Sequence, residues 1–135
     1  MNFQIHTHSQ RQVVDLTDQI EEQLPAGAGG VVVVTVLHTT AAVTTADLDP
    51  GTDLDLLDFL QGIIPTVRWR HPHNPAHAPA HLLSSVVGPS VTLPVQDGSL
   101  VLGTWQRVVL IELAGPRPRD VSVVFLPVAD PRLAN

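Results

Sequence analysis

The chain has no cysteine among its 135 residues. That excludes a disulfide scaffold, a thiolate zinc site and a thiol nucleophile. It also has no tyrosine, and aromatic residues make up only 4%, so a core must be built mainly from Val, Leu, Ile and Ala. Charge is scarce at 15% and unbalanced, with 13 acidic against 7 basic residues and a net charge of -6. General electrostatic attraction to nucleic acid is therefore not expected. No apolar run reaches the ~18 residues of a membrane helix. Met1 to Gln10 is polar and lacks the apolar segment of a secretory signal. The expectation is a soluble cytoplasmic protein with neither nucleic acid nor membrane as partner. Hydrophobic residues at 44% read as globular, and the length suits one domain over residues 1–135.

Periodicity predicts an α+β domain of six or more strands with two or three short helices. Phe3 to His8 reads as a first strand. Asp18 and Glu21 form a capping box for a short helix carrying Ile20 and Leu24 inward. Gly30 to Leu37 is the strongest strand, with β-branched residues on both faces, so both faces are expected to be covered. It ends at His38-Thr39-Thr40, and a second apolar stretch, Ala41 to Thr45, follows. Thr52 to Ile64 is an amphipathic helix burying Leu54, Leu57, Leu60 and Ile64. Residues 66 to 80 form a loop rich in histidine and proline, followed by a short helix from His81 to Val87. Asp97-Gly98 marks a hairpin between Val91–Val95 and Leu100–Leu102. Trp105–Leu113 and Val121–Leu126 are further strands.

Four of the seven histidines fall between His71 and His81. Histidine is the commonest metal ligand and a proton carrier near neutrality. His38, at a strand end, together with His71 and His81, could supply three imidazoles to one metal and leave a position open for water or substrate. No diagnostic spacing such as HExxH is present. Solvated loop histidines are the plainer reading, above all for His73 and His77. Asp47 could complete a metal shell or act as a base, whereas Asp49 fits a turn with Pro50 and Gly51. Arg117 and Arg119 could grip a phosphate or carboxylate, or pair with surface acids. Trp105 could wall a pocket and Gln106 bond a ligand there, or Trp105 could simply plug the core. Glu112 sits among apolar residues and needs a partner, with Arg117 and Arg119 the candidates for a structural ion pair.

Several segments in this order resemble the YjbQ family of small bacterial and archaeal proteins. They are His38-Thr-Thr-Ala-Ala42, the acidic turn ending Asp49-Pro50, Ala80-His81-Leu82, Leu93-Pro94-Val95, Gly98-x-Leu100, Leu102-Gly-Thr-Trp-Gln106, Glu112 and Gly115-Pro-Arg-x-Arg119. Members are often labelled secondary thiamine-phosphate synthases. The resemblance implies a β-sandwich-like core and a homotrimer packed around a threefold axis. It implies a metal site at His38, His81 and an early loop histidine, placed at His71. Thr39, Thr40, Trp105, Gln106 and Glu112 are the candidate ligand-binding residues. Family members usually carry Asn-Glu where this chain has Ala46-Asp47, so Asp47 stands in for the glutamate. They commonly read Asp-Gly-Pro-Arg where Ala114 begins the motif here.

Three functions follow from these residues. One is a thiamine-phosphate synthase-like transferase, in which a divalent metal and the catalytic residues Arg117 and Arg119 neutralise a leaving pyrophosphate. Another is a metal-dependent hydrolase of a small phosphorylated or heterocyclic substrate, with Asp47 as base. The third is a non-enzymatic trimer that binds metal or a small ligand. Three histidines suit zinc, nickel or iron. Magnesium prefers oxygen and would come with substrate.

Overall fold

The computed structural model describes residues 1–129. The elements in chain order are β1 (Asn2–His6), β2 (Gln12–Asp15), α1 (Thr17–Glu22), β3 (Gly30–Val36), β4 (Ala41–Asp47), α2 (Thr52–Gly62), a 3-10 turn (Pro75–His77), α3 (Ala78–Val87), β5 (Ser90–Gln96), β6 (Ser99–Leu100), β7 (Gln106–Glu112) and β8 (Pro118–Pro127). All strand pairings are antiparallel. They build a five-stranded sheet, β1-β8-β3-β5-β6, and a three-stranded sheet, β2-β7-β4. This is the mixed α+β architecture expected from the periodicity. Among the described residues no helix is long and apolar enough to cross a membrane.

Strand alternation sends successive side chains to opposite faces, and the two sheets use this differently. In β3, Val32, Val34 and Val36 are buried while Val31, Val33 and Thr35 remain half-exposed. In β7, Val108 to Glu112 are buried without interruption. Val108 and Leu110 join a core shared by both sheets, together with Val32, Val34, Val121, Val123, Ala41 and Val43. Val109 and Ile111 point the other way, into a second core with Ala42, Leu60, Leu83 and Leu113. The helices α2 and α3 close that second core. Each fully buried Val, Leu or Ile contributes about 1.5–3 kcal/mol, so β7, covered on both faces, is the energetic centre of the fold. The expectation that β3 is covered on both faces is not met within one chain. Its β-branched outer face is left uncovered by any helix among the described residues.

Several local expectations shift. The helix α1 starts at Thr17, whose amide donates to Asp15 Oδ1 at 3.0 Å. Asp15 thus satisfies the first amide of the helix from the residue before its N-cap, Leu16, whereas Asp18 accepts from Arg107 at 3.1 Å. Glu21 accepts from the Leu100 amide at 3.2 Å, so it ties α1 to β6 rather than closing a capping box. In α2, Leu54 is 61% exposed and Leu56 packs inward in its place. The helix α3 begins three residues before His81, with Pro79 in its first turn, where a missing N–H is harmless. The Asp97-Gly98 hairpin is as expected. Both residues have positive φ, and Gln96 pairs directly with Ser99.

Candidate functional site

The shared core ends in charge rather than hydrocarbon. Pro118 begins β8 three residues earlier than periodicity suggests, and this puts Arg119 in phase with Val121 and Val123 on the inner face. Glu112 is in phase with Val108 and Leu110 on β7. The two side chains meet at the end of the core, 1% and 0% exposed. Arg119 Nε donates to Glu112 Oε2 at 2.7 Å, and Nη2 reaches Oε1. Nη2 also donates to the Thr40 carbonyl at 3.0 Å and to the Thr40 hydroxyl at 2.8 Å. The Thr7 hydroxyl donates to Glu112 Oε2 at 2.9 Å and accepts from the Arg117 amide at 3.1 Å. Burial pushes the Glu112 carboxyl up, but bonds from Arg119, the Ala114 amide and Thr7 outweigh it and hold it below its ordinary value. Among the described residues no buried side-chain polar atom lacks a partner. Arg119, read from sequence as one of two arginines on a tight loop and as a candidate partner for Glu112, is a strand residue in a satisfied internal pair. Arg119, not Arg117, partners Glu112.

This network borders the His38 corner. Asp120, next to Arg119, donates its amide to His38 Nε2 at 2.8 Å, and its carbonyl accepts from Leu37 at 3.0 Å. The His38 ring therefore sits between β3 and β8 with Nδ1 outside this bond. His38, Thr39 and His81 line one cleft of about 340 Å³ with Ser84, Ser85 and Pro89. Ser84 anchors α3 by donating to the Ala41 carbonyl at 2.6 Å. The rings of His71 and His81 lie 4.5 Å apart between centroids. Partial burial, then the neighbouring His71 and His77, lower the His81 pKa, and a hydrogen bond with the Thr39 backbone opposes them only in part. The favoured neutral ring is the form with a lone pair to donate.

The remaining residues singled out from sequence do not join this cleft within one chain. Asp47, Trp105 and Gln106 line a separate cavity of about 420 Å³. There Gln106 donates to the Thr45 hydroxyl at 3.2 Å. Asp47 Oδ1 accepts from the Asp49 amide at 2.8 Å, a turn contact. Trp105 is 67% exposed and does not plug the core. Arg117 lines a third cavity, with Arg11 and His77. Thr40 is buried in the Arg119 network, whereas Thr39 is exposed in the His cleft. Among the described residues, no three His, Cys, Asp or Glu side chains of one chain are grouped so as to hold a metal ion.

Thr7, Arg11, Asp120 and Ser84 were not legible in the sequence. Thr7, Asp120 and Ser84 each act through a hydrogen bond to a segment far along the chain, and Arg11 lines a cavity whose other walls come from such segments. Gly115 carried a signal in its Gly-Pro motif. A Cβ there would lie 2.5 Å from the Ser9 carbonyl oxygen and 2.8 Å from both Glu112 Cγ and Thr7 Oγ1.

Comparison with known proteins agrees with this architecture. Residues 1–127 match the family model described as UPF0047 protein YjbQ-like. A UPF0047 protein of Archaeoglobus fulgidus is 36% identical over 127 residues, which are 93% of this chain and 100% of that one. A UPF0047 protein of Mycobacterium tuberculosis is 42% identical over 113 residues, 82% and 85% of the two chains. The crystal structure of a hypothetical protein from Aeropyrum pernix K1 superposes with a TM-score of 0.85 at 38% identity, covering 93% of this chain and 96% of that one. An uncharacterized conserved protein of the YjbQ/UPF0047 family from Clostridium acetobutylicum gives 0.83 at 30% identity, covering 93% and 99%. On sequence over nearly its whole length and on fold, the chain belongs to the UPF0047 protein YjbQ-like family.

Proposed function

We propose that the cleft between His38 and His81 is the functional centre of a metal-dependent enzyme acting on a small phosphorylated or heterocyclic molecule. The observation that carries this reading is that imidazoles from the end of β3 and from α3 line one cleft, with the His71 ring beside His81. The donors fit a divalent ion in kind and fall short in number. His38, His81 and His71 would hold it, with any further ligand coming from outside this set. Imidazole nitrogen suits zinc, nickel or iron better than magnesium. Such an ion supplies Lewis-acid activation of a substrate oxygen or of water. The chain's own part is to orient: Asp120 fixes the His38 ring, and the Thr39 and Ser85 hydroxyls border the space where a substrate would lie.

Hydrolysis fits this donor set better than the thiamine-phosphate synthase-like transfer. The transfer needs arginines to hold a leaving pyrophosphate. Within one chain Arg119 is buried against Glu112, and Arg117 opens into a different cavity.

The β-sandwich-like subunit is proposed to work as a homotrimer. Val31 pairs with Leu126 and Val33 with Val124 across the uncovered face of the five-stranded sheet, an apolar band that suits burial against another copy. A neighbouring subunit could also bring Asp47, Trp105 and Gln106 toward the His cleft.

Elemental analysis of untagged protein tests the metal centre. Wild type is expected to retain a transition metal that both His38→Ala and His81→Ala lose. Equal metal content in all three proteins would sink the proposal.

A further inference from the structure

We infer that the cavity between Arg11 and Arg117 is a binding site for a small phosphorylated organic anion, separate from the His38 cleft. The two spaces share no lining residue. The turn after β1 supplies Arg11 and Gln10, the end of α2 supplies Gln61, the 3-10 turn supplies His77, and the loop before β8 supplies Arg117. The turn and the loop are locked together, because the Gly115 amide donates to the Gln10 carbonyl at 3.0 Å.

Its charge sets this cavity apart. The chain has 13 acidic residues against 7 basic ones, yet among the described residues no carboxylate lines this space and two arginines do. Arg107 and Arg119 are each spent on acids, whereas among the described residues neither Arg11 nor Arg117 makes an ion pair. Two uncompensated guanidinium forks over one cavity are suited to an oxyanion, which they can hold bidentately. Two monocations match a phosphate monoester dianion better than a single carboxylate. The amides of Gln10 and Gln61 add neutral donors and acceptors.

The floor is apolar, made by Ile64, Leu83 and Leu113. A ligand with an organic body therefore fits better than a bare inorganic ion. The volume of about 440 Å³ lies within the usual range for small-molecule sites.

Isothermal titration of metal-free protein with phenyl phosphate tests the site independently of the metal proposal. Phenyl phosphate is expected to bind saturably, and more tightly than inorganic phosphate or benzoate. Arg11→Gln and Arg117→Gln should each weaken it about tenfold or more, the usual loss on removing a charge-assisted hydrogen bond. Ala114→Asp, which places a carboxylate in the lining, should weaken it similarly. Arg68→Gln, an exposed arginine outside the cavity, should change nothing. Both cavity guanidiniums are exposed and, among the described residues, make no ion pair, so the urea midpoints should stay at the wild-type value. Absence of saturable binding to wild type, or the same affinity in Arg11→Gln, Arg117→Gln and Ala114→Asp, would overturn the assignment.

Discussion

Glu112 and Arg119 join the two sheets through a buried pair in which two guanidinium nitrogens meet both carboxylate oxygens. Removing one member leaves the other charged and without its partner in a dry site, which typically costs about 3–5 kcal/mol. Arg119→Met and Glu112→Leu should each lower the unfolding free energy obtained from urea titration by that order. The double variant should recover much of the loss, because a buried pair and an apolar pair of similar volume are often comparable in stability. Equal destabilisation by the double and the single variants would contradict this account.

The pair also predicts an acid limit. The folded-state pKa of Glu112 lies below its ordinary 4.5, and that of Asp15 below 3.8. For Asp15, burial raises the value, and the Thr17 and Arg107 bonds more than reverse it. A depressed carboxyl binds fewer protons folded than unfolded, so its contribution is complete above the ordinary value. It is lost as pH falls through the folded one. In urea unfolding, the share of stability owed to these two carboxyls should be complete above about pH 5 and decline below it, while His81, also depressed in the folded chain, adds a loss that begins as pH falls below its ordinary 6.5. Glu112→Gln should show a shallower decline. An unchanged acid slope in that variant would remove Glu112 from the effect.

Glycines separate into constrained and free positions. A methyl at Gly115 would press on the Ser9 backbone and on the Glu112 and Thr7 side chains. Gly115→Ala should therefore cost roughly 1–3 kcal/mol, the usual range for overpacking. At Gly62, the last residue of α2, a Cβ meets nothing within 4 Å. Gly62→Ala should be neutral or stabilising by up to about 1 kcal/mol, since alanine loses less backbone entropy in a helix. Thermal unfolding of both variants checks the contrast, and a stable Gly115→Ala would show that the surrounding loop yields.

Periodicity was enough to find β3, the Asp97-Gly98 hairpin and the α+β class, because these depend on local repeats and turn chemistry. It failed where partners are distant. Arg119 resembles a loop arginine until its alternation with Val121 and Val123 is seen to start at Pro118. The four-residue β2 is too short to show a period, and only its pairing with β7 defines it. At the candidate site, His38, His71 and His81 were nameable from sequence and family resemblance. Their geometry was not, because it rests on the Asp120 amide and the packing of α3. The cavity lined by Arg11 had no sequence signal, since its walls come from separate segments of the chain.

The uncovered face of the five-stranded sheet bears on the proposed assembly. Val124 and Leu126 are 47% and 52% exposed, directly across from Val33 and Val31. A band of this kind would favour burial, because each apolar Å² removed from water gains about 25 cal/mol. If three copies bury it, sedimentation equilibrium should give about three times the 14.5 kDa chain mass. A lysine at the centre of such an interface would have to be desolvated without a partner. Val124→Lys should therefore shift the protein to monomer, whereas Leu54→Lys on the exposed side of α2 should leave the mass unchanged. Secondary structure by circular dichroism should be intact in both variants, because Val124 lies outside the buried core. A monomeric wild type would overturn the trimer, and a Val124→Lys protein that keeps a trimeric wild-type mass would place the contact elsewhere on the chain.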